Sequence, residues 1–234
     1  MFAEFCSITR LMPVADQIRK FVLTIEYHLQ ELEIAKNPSD PRNVLPEVLS
    51  TDQAILDIGC GIGQTLIALD CPDRRRIGID IDAEAIEYAR KNFPDLEVHV
   101  RESDILPVED SVIDLVVMRV SLPYMNIPRT VAEVQRVLRP GGRVWVTVHS
   151  RRMATGFLTS AVRNRDFKNI IHKTYVMLNG YLFHFTGKLL PFVNGRYESW
   201  QDTGRLKRYF ESKGFSVSIG ERNGIQFVEA TNGS

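Results

Sequence analysis

The chain has 234 residues, of which 44% are hydrophobic and 25% charged, a composition that excludes a disordered or fibrous protein and allows a substantial core. Its 29 basic and 29 acidic side chains cancel, so no overall field draws it to nucleic acid or to an acidic membrane. The cysteines Cys6, Cys60 and Cys71 form no C-x-x-C pair, which argues against a disulfide framework and against a zinc site, and no metal set is expected.

The N-terminus lacks the basic start and unbroken apolar stretch of a signal peptide, and no run of about 18 apolar residues follows, so a cytoplasmic protein without a spanning helix is expected. Val14, Ile18, Phe21, Val22, Ile25, Leu29 and Leu32 recur at helical spacing and predict one amphipathic helix over 14–36. It ends at Asn37-Pro38-Ser39-Asp40-Pro41. A short helix is then predicted over Val44 to Leu49.

Next comes Ile55-Leu56-Asp57-Ile58-Gly59-Cys60-Gly61-Ile62-Gly63-Gln64-Thr65, which reads as a buried strand, a glycine turn and a helix start. Glycine admits dihedrals and close approaches that a Cβ would block, so the turn suits a nucleotide-like ligand. A dinucleotide fingerprint needs G-x-G-x-x-G; here the third glycine comes one residue early.

Further strands are predicted at Ile77 to Ile81, Leu96 to Val100, Val112 to Met118 and Val144 to Val148. Helices are predicted at Ala83 to Asn92, capped by Asp82, and at Pro128 to Leu138. Such alternation implies an α/β fold with a doubly wound parallel sheet. A helix near Asp202 to Lys213 leads to Phe215–Glu221 and Gly224–Ala230, with Asn223-Gly224 as the turn of an antiparallel β-hairpin. Between these parts lies an aromatic, cation-rich segment, read as helices inserted at the ligand-bearing edge. The basic run Arg74-Arg75-Arg76 reads as a solvated turn.

Candidate chemistry follows the glycine loop. Asp80 closes its strand where a carboxylate accepts from two ribose hydroxyls. Glu102-Ser103-Asp104-Ile105-Leu106-Pro107 offers an acid for an adenine amino group and an apolar cover for its ring. Asp114 begins its strand, far from that edge, and is read as structural. The glycines of Pro140-Gly141-Gly142 are read as ending one helix and opening the next strand.

Taken in order from about 54 to 149, these motifs resemble those of the class I S-adenosylmethionine-dependent methyltransferases of the small, type 11-like kind. Asp57 to Gly63 matches the first motif, Gly78-Ile79-Asp80 the ribose-binding acid, Ser103-Asp104 the adenine-side acid, and Arg136 to Val144 the helix-to-strand signature. The resemblance implies a Rossmann-like seven-stranded sheet, mostly parallel, with a C-terminal antiparallel hairpin, an N-terminal helix and a helical cap. One domain over 1–234 is expected: an N-terminal helical segment (1–50), a cofactor-binding core (51–149), a cap insert (150–201), and a terminal helix with hairpin (202–234).

It further implies S-adenosyl-L-methionine as cofactor and S-adenosyl-L-homocysteine as product, held by Asp57, Gly59, Cys60, Gly61, Gln64, Asp80, Ile81, Asp104, Ile105, Arg119 and Val120. A small-molecule acceptor is expected near Tyr124, His149, Tyr181, His184 and Trp200. No motif marks a catalytic base; His149 and Tyr124 are the candidates. The acceptor atom and the oligomeric state do not follow from the sequence.

Other readings remain open. Tyr209-Phe210-Glu211-Ser212-Lys213 has the Y-x-x-x-K form of a short-chain reductase, against the glycine spacing. A non-catalytic S-adenosylmethionine-binding accessory protein would keep the same motifs. Methylation of RNA or protein is a further alternative, against which stand the zero net charge and the absence of an appended nucleic-acid domain. Tyr175 to Val193, apolar with Lys188 inside it, suits peripheral contact with a membrane surface.

Overall fold

A computed structural model describes residues 24–148, 151–192 and 195–233. Seven strands form one sheet: β1 (Ala54–Ile58), β2 (Arg75–Asp80), β3 (Glu97–Val100), β4 (Ile113–Arg119), β5 (Leu138–Thr147), β6 (Phe215–Arg222) and β7 (Ile225–Asn232). Their spatial order is β3-β2-β1-β4-β5-β7-β6. β7 runs antiparallel to both β5 and β6, whereas β1 pairs in parallel with β2 and β4. The expected mostly parallel sheet with a terminal hairpin is therefore present. Asn223 (φ 54°) and Gly224 (φ 74°) make its turn, with the two positive φ values that a tight hairpin requires.

The α-helices among the described residues are α1 (Ile25–Lys36), α2 (Gln64–Ala68), α3 (Ala83–Asn92), α4 (Ile127–Val137), α5 (Arg151–Arg163), α6 (Phe167–Thr186) and α7 (Thr203–Glu211). Asp82 caps α3 by accepting from the amides of Glu84 and Ala85. Strand residues divide by parity between two apolar layers. Leu56, Ile58, Ile77, Ile79, Val116 and Met118 pack with Val131 and Val134 of α4 and Phe210 of α7. Ile55, Leu115, Val117 and Trp145 pack with Leu66 of α2 and Ile86 of α3. Coverage on both faces explains why the strands read as unbroken apolar runs.

The chain leaves β1 toward β2 and β3 on one side and resumes with β4 on the other. A crevice opens where such a sheet changes direction, at the carboxyl ends of β1 and β4. The opposite edge is closed by structural charges. Asp114 accepts from the amides of Gln53 and Ala54, both at 2.9 Å, and from Arg139 at 3.1 Å. Arg143 is buried among Asp52, Glu229 and the carbonyl of Glu47.

Four local expectations are corrected. The first helix among the described residues starts at Ile25, where Thr24 is extended and caps the Tyr27 amide at 3.3 Å; residues 14–23 lie outside the described part. Val44 to Leu49 forms no helix, because Pro46 lacks an amide and the carbonyls of Leu45 and Glu47 accept from Arg222 and Arg143. Pro140-Gly141-Gly142 lies inside β5, which begins directly after α4, where the β4 register shifts between Ile113 and Leu115. A Cβ on Gly142 would stand 2.9 Å from the Arg139 carbonyl oxygen, so the strand needs glycine there. Arg75 and Arg76 likewise belong to β2, and Arg75 pairs with Glu97 of β3 at 3.0 Å.

After β5 the chain forms the antiparallel pair α5 and α6 and returns through residues 187–202. Buried Asn179 fastens that return by donating to the carbonyls of Leu190 (3.1 Å) and Glu198 (3.0 Å) and accepting from the Leu190 amide (2.9 Å). The Ser199 amide then donates to Pro123 at 2.9 Å, which brings the return segment to the carboxyl end of β4.

Candidate active site

β1 ends in a loop held against β2: the amides of Gly59 and Cys60 both donate to the Ile79 carbonyl, at 2.8 and 3.0 Å. Gly59 has φ 80°, and a Cβ there would lie 2.4 Å from the Cβ of Ser121. Ser121 in turn donates to the Ile58 carbonyl at 2.5 Å. Gly61 has φ 55° and packs so closely on α1 that a Cβ would meet His28 Nδ1 at 2.4 Å. Both positions thus require glycine for conformation and for space.

Asp80 stands at the end of β2 beside this loop. One carboxylate oxygen accepts from the Gly61 amide at 2.8 Å and the other from the Asp82 amide at 2.9 Å. An ionised carboxylate has about four acceptor directions, so each oxygen keeps capacity for another donor. Gln64 turns its Oε1 onto the Ile62 amide at 3.1 Å and braces the loop from within. The Cys60 thiol is buried against Gly78, and burial raises its pKa; it is a wall of the site rather than a nucleophile.

Asp57 is 1% exposed, and neither carboxylate oxygen meets a donor at bonding geometry. Burial pushes its pKa up to about 7; Arg119 and the neighbouring Thr65 side chain oppose that rise and Asp80 reinforces it. Arg119 ends β4 and donates to Glu31 of α1 at 2.9 Å. Val120 follows with φ 62°, a left-handed conformation strained for a β-branched residue. Its amide is held by the Thr147 carbonyl and hydroxyl, both at 3.1 Å.

On the other side of Asp80, Ile81, Val100, Arg101, Glu102 and Ile105 line an open cleft of about 540 Å³. Ile81 and Ile105 are exposed there. Asp104, next to Ile105, keeps a buried Oδ1 without a donor while Arg129 reaches Oδ2 at 3.4 Å. The structure therefore gathers Asp57, Gly59, Gly61, Asp80, Arg119 and Val120 around the ends of β1, β2 and β4, with Ile81 and Ile105 in the adjoining cleft.

The expected acceptor residues divide differently. Tyr124 ends the 3-10 turn Leu122–Tyr124 and lines a small cavity of about 60 Å³ with Phe157, Lys173, Val176, Glu198 and Trp200. Half of its surface is exposed, yet crowding around the hydroxyl raises its pKa, with Glu198 adding to the rise. Trp200 is buried, donates to the Met177 carbonyl at 3.0 Å, and lies against Gly180, where a Cβ would stand 2.4 Å from its ring. Tyr181 meets Trp200 edge to face and His184 packs on it at a tilt, with ring centroids 5.3 and 5.0 Å away. Both are half-buried, and neither is among the residues that line the cavity. Burial, reinforced by Arg205, lowers the His184 pKa to about 4. His149 lies outside the described residues.

Two groups carried no recognisable signal in the sequence. His28 and Glu31 of α1 lie on the glycine loop and on Arg119. The His28 ring is buried with neither nitrogen bonded, and burial lowers its pKa against the pull of Asp80 and Asp82. Helical spacing marks such residues as covered without telling what covers them. Glu198 is gripped by His172 at 3.0 Å and Lys173 at 3.2 Å. Burial alone would raise its pKa, but those partners hold it below the ordinary carboxylate range. Tyr209 and Lys213, the reductase-like pair, form a cation–π contact at 5.6 Å at the end of α7.

Residues 56–146 match a family model described as a methyltransferase domain. Over 99 residues the chain is 40% identical to an uncharacterized 37.1 kDa transposon protein of Streptomyces fradiae, covering 39% of this chain and 29% of that protein. It is 37% identical over 100 residues to a demethylmenaquinone methyltransferase of Symbiobacterium thermophilum, covering 38% of this chain and 39% of the relative. The chain thus spans about a third of the length of the curated relatives it matches. Among solved structures, a chain from the complex of the Haloferax volcanii Trm112 methyltransferase activator with a methyltransferase superposes with a TM-score of 0.59 at 18% identity, over 88% of this chain and 93% of that one. The PH0226 protein of Pyrococcus horikoshii gives 0.56 at 17% identity, over 90% and 92%. These two likenesses concern the fold alone. Sheet order and glycine loop agree with the matched domain: residues 56–146 carry a methyltransferase-type domain within a Rossmann-like fold shared with those structures.

Proposed function

We propose that this chain transfers the methyl group of S-adenosylmethionine to a small-molecule acceptor held between Tyr124 and the α5–α6 cap. The observation that carries the reading is the Asp80 carboxylate, fixed by the Gly61 and Asp82 amides with acceptor capacity left at the switch point of the sheet. When bound, S-adenosylmethionine supplies a sulfonium-activated methyl group, whose displacement depends on alignment with the acceptor and on exclusion of water.

In this reading Asp80 accepts from the ribose hydroxyls, Ile81 and Ile105 cover the adenine, and Asp104 accepts from its amino group. Asp57, Gly59, Cys60, Gly61, Gln64 and the backbone near Arg119 and Val120 surround the methionine end. Tyr124 and Trp200 wall the acceptor, with Glu198 as the polar group of that cavity. Tyr181 and His184 support Trp200 from within the cap. Tyr124 and His149 are the candidates to handle an acceptor proton. Residues 1–234 act as a single cytoplasmic domain, and the cap excludes water.

A methyl-labelled donor, incubated with fractionated cell extract, tests the acceptor class. Label in an extractable small product supports the reading. Label confined to protein or RNA overturns it, and cofactor binding without any transfer favours an accessory protein.

A further inference from the structure

One face of α6 has no cover among the described residues. Phe167, Ile171, Leu178 and Phe185 are 75%, 65%, 64% and 76% exposed. At ~100° per residue the four fall within ~40° of one another, along roughly 27 Å of helix. The opposite face carries His172, Val176, Asn179, Gly180 and Phe183, all buried toward the cap and the sheet. α6 therefore has one side buried by the fold and an apolar side without cover among the described residues.

Charge indicates the occupant of the free side. In a chain of zero net charge, Arg163, Arg165 and Lys168 stand at the start of this helix and Lys188 just beyond its end. Arg205 lies 5.3 Å from the exposed Phe185 ring. The carboxylate among them, Asp166, is committed as the cap of α6, accepting from the Asn169 amide at 3.1 Å and its side chain at 2.6 Å. A second copy of this chain would bring the same cations against them, whereas an anionic bilayer offers phosphate to the cations and acyl chains to the stripe. No helix among the described residues is long and apolar enough to cross a membrane, so the contact is one of a helix lying in the interface.

We propose that α6 is a peripheral membrane-binding element that seats Phe167, Ile171, Leu178 and Phe185 in the surface of an anionic lipid bilayer. The proposal is independent of methyl transfer, because lipid binding is read without cofactor or acceptor. The test is co-sedimentation of the full chain with large vesicles of phosphatidylcholine containing phosphatidylglycerol, and with phosphatidylcholine alone. The expected result is pelleting with the anionic vesicles at low salt, a several-fold fall at high salt, and none with neutral vesicles. The double variant Ile171→Asp, Leu178→Asp should lose at least ten-fold in lipid affinity while keeping the wild-type circular dichroism spectrum. If that variant misfolds, Lys168→Glu with Lys188→Glu serves, with the same loss expected. Failure of the wild type to pellet, or equal pelleting of the folded variants, overturns the proposal. So does light scattering that shows a wild-type dimer converted to monomer by the stripe substitutions, which would assign the face to a second copy.

Discussion

The Gly61 amide donates to the Asp80 carboxylate at 2.8 Å, so the glycine loop and the acid at the end of β2 are one device. The loop orients the carboxylate, and the carboxylate holds the loop open. Because Gly61 also has φ 55° and presses on His28, Gly61→Ala should strain the turn and displace α1. Unfolding in urea should show a loss of about 1–3 kcal/mol, and affinity for S-adenosylhomocysteine should fall at least ten-fold.

Asp57 gives the fold a pH dependence of defined sign. Its folded pKa of about 7 lies above the ordinary 3.8, so between roughly pH 4 and 7 the folded protein retains a proton that the unfolded chain releases. Stability contributed by this group is full at the acid end of the window and lost as pH rises through 7. His184 slopes the other way between its folded value of about 4 and 6.5, since its folded state binds fewer protons there. Comparing Asp57→Asn with wild type isolates the first effect. The variant should gain about 2–4 kcal/mol relative to wild type between pH 4 and pH 8, read as urea midpoints across that range. Parallel profiles would refute it.

α1 is tied to the site by the 2.9 Å ion pair between Glu31 and Arg119. Glu31→Gln leaves a largely buried guanidinium with a neutral partner, so a loss of about 1–3 kcal/mol in stability is expected. Thermal and urea unfolding measure it. Since Arg119 also opposes the rise of the Asp57 pKa, freeing it from Glu31 should move the Asp57 titration toward lower pH, which the stability profile reports.

The cap depends on a close approach. A Cβ at Gly180 would come within 2.6 Å of both the Trp200 ring and its carbonyl oxygen. Gly180→Ala should therefore push the return segment off α6, cost about 1–3 kcal/mol, and expose the indole to a fluorescence quencher. An unchanged quenching constant would show that the helix can yield without moving Trp200.

Most of the sheet is legible in the sequence because strands buried on both faces must be apolar throughout, and Asn223-Gly224 and Asp82 state their turn and cap directly. The glycine loop and Asp80 are legible for the same reason: only certain residues satisfy those backbones. What escaped were relations across the fold. Nothing near His28 or Glu31 tells that α1 lies on the glycine loop, and nothing near Glu198 tells that His172 and Lys173 reach it from a helix about 25 residues earlier in the chain. Val44 to Leu49 was misleading because its carbonyls are claimed by Arg143 and Arg222, which arrive from β5 and β6. Tyr181 and His184 are aromatic and polar enough for a substrate site, but Trp200 takes both as its packing partners.

If Asp80 binds the ribose of S-adenosylmethionine, calorimetry with S-adenosylhomocysteine on wild type and Asp80→Ala will register the loss of those hydrogen bonds. The wild type should bind one equivalent, and the variant, still folded, should bind more weakly by about 1–3 kcal/mol. No binding by the wild type, or equal affinity in the two proteins, would contradict the account.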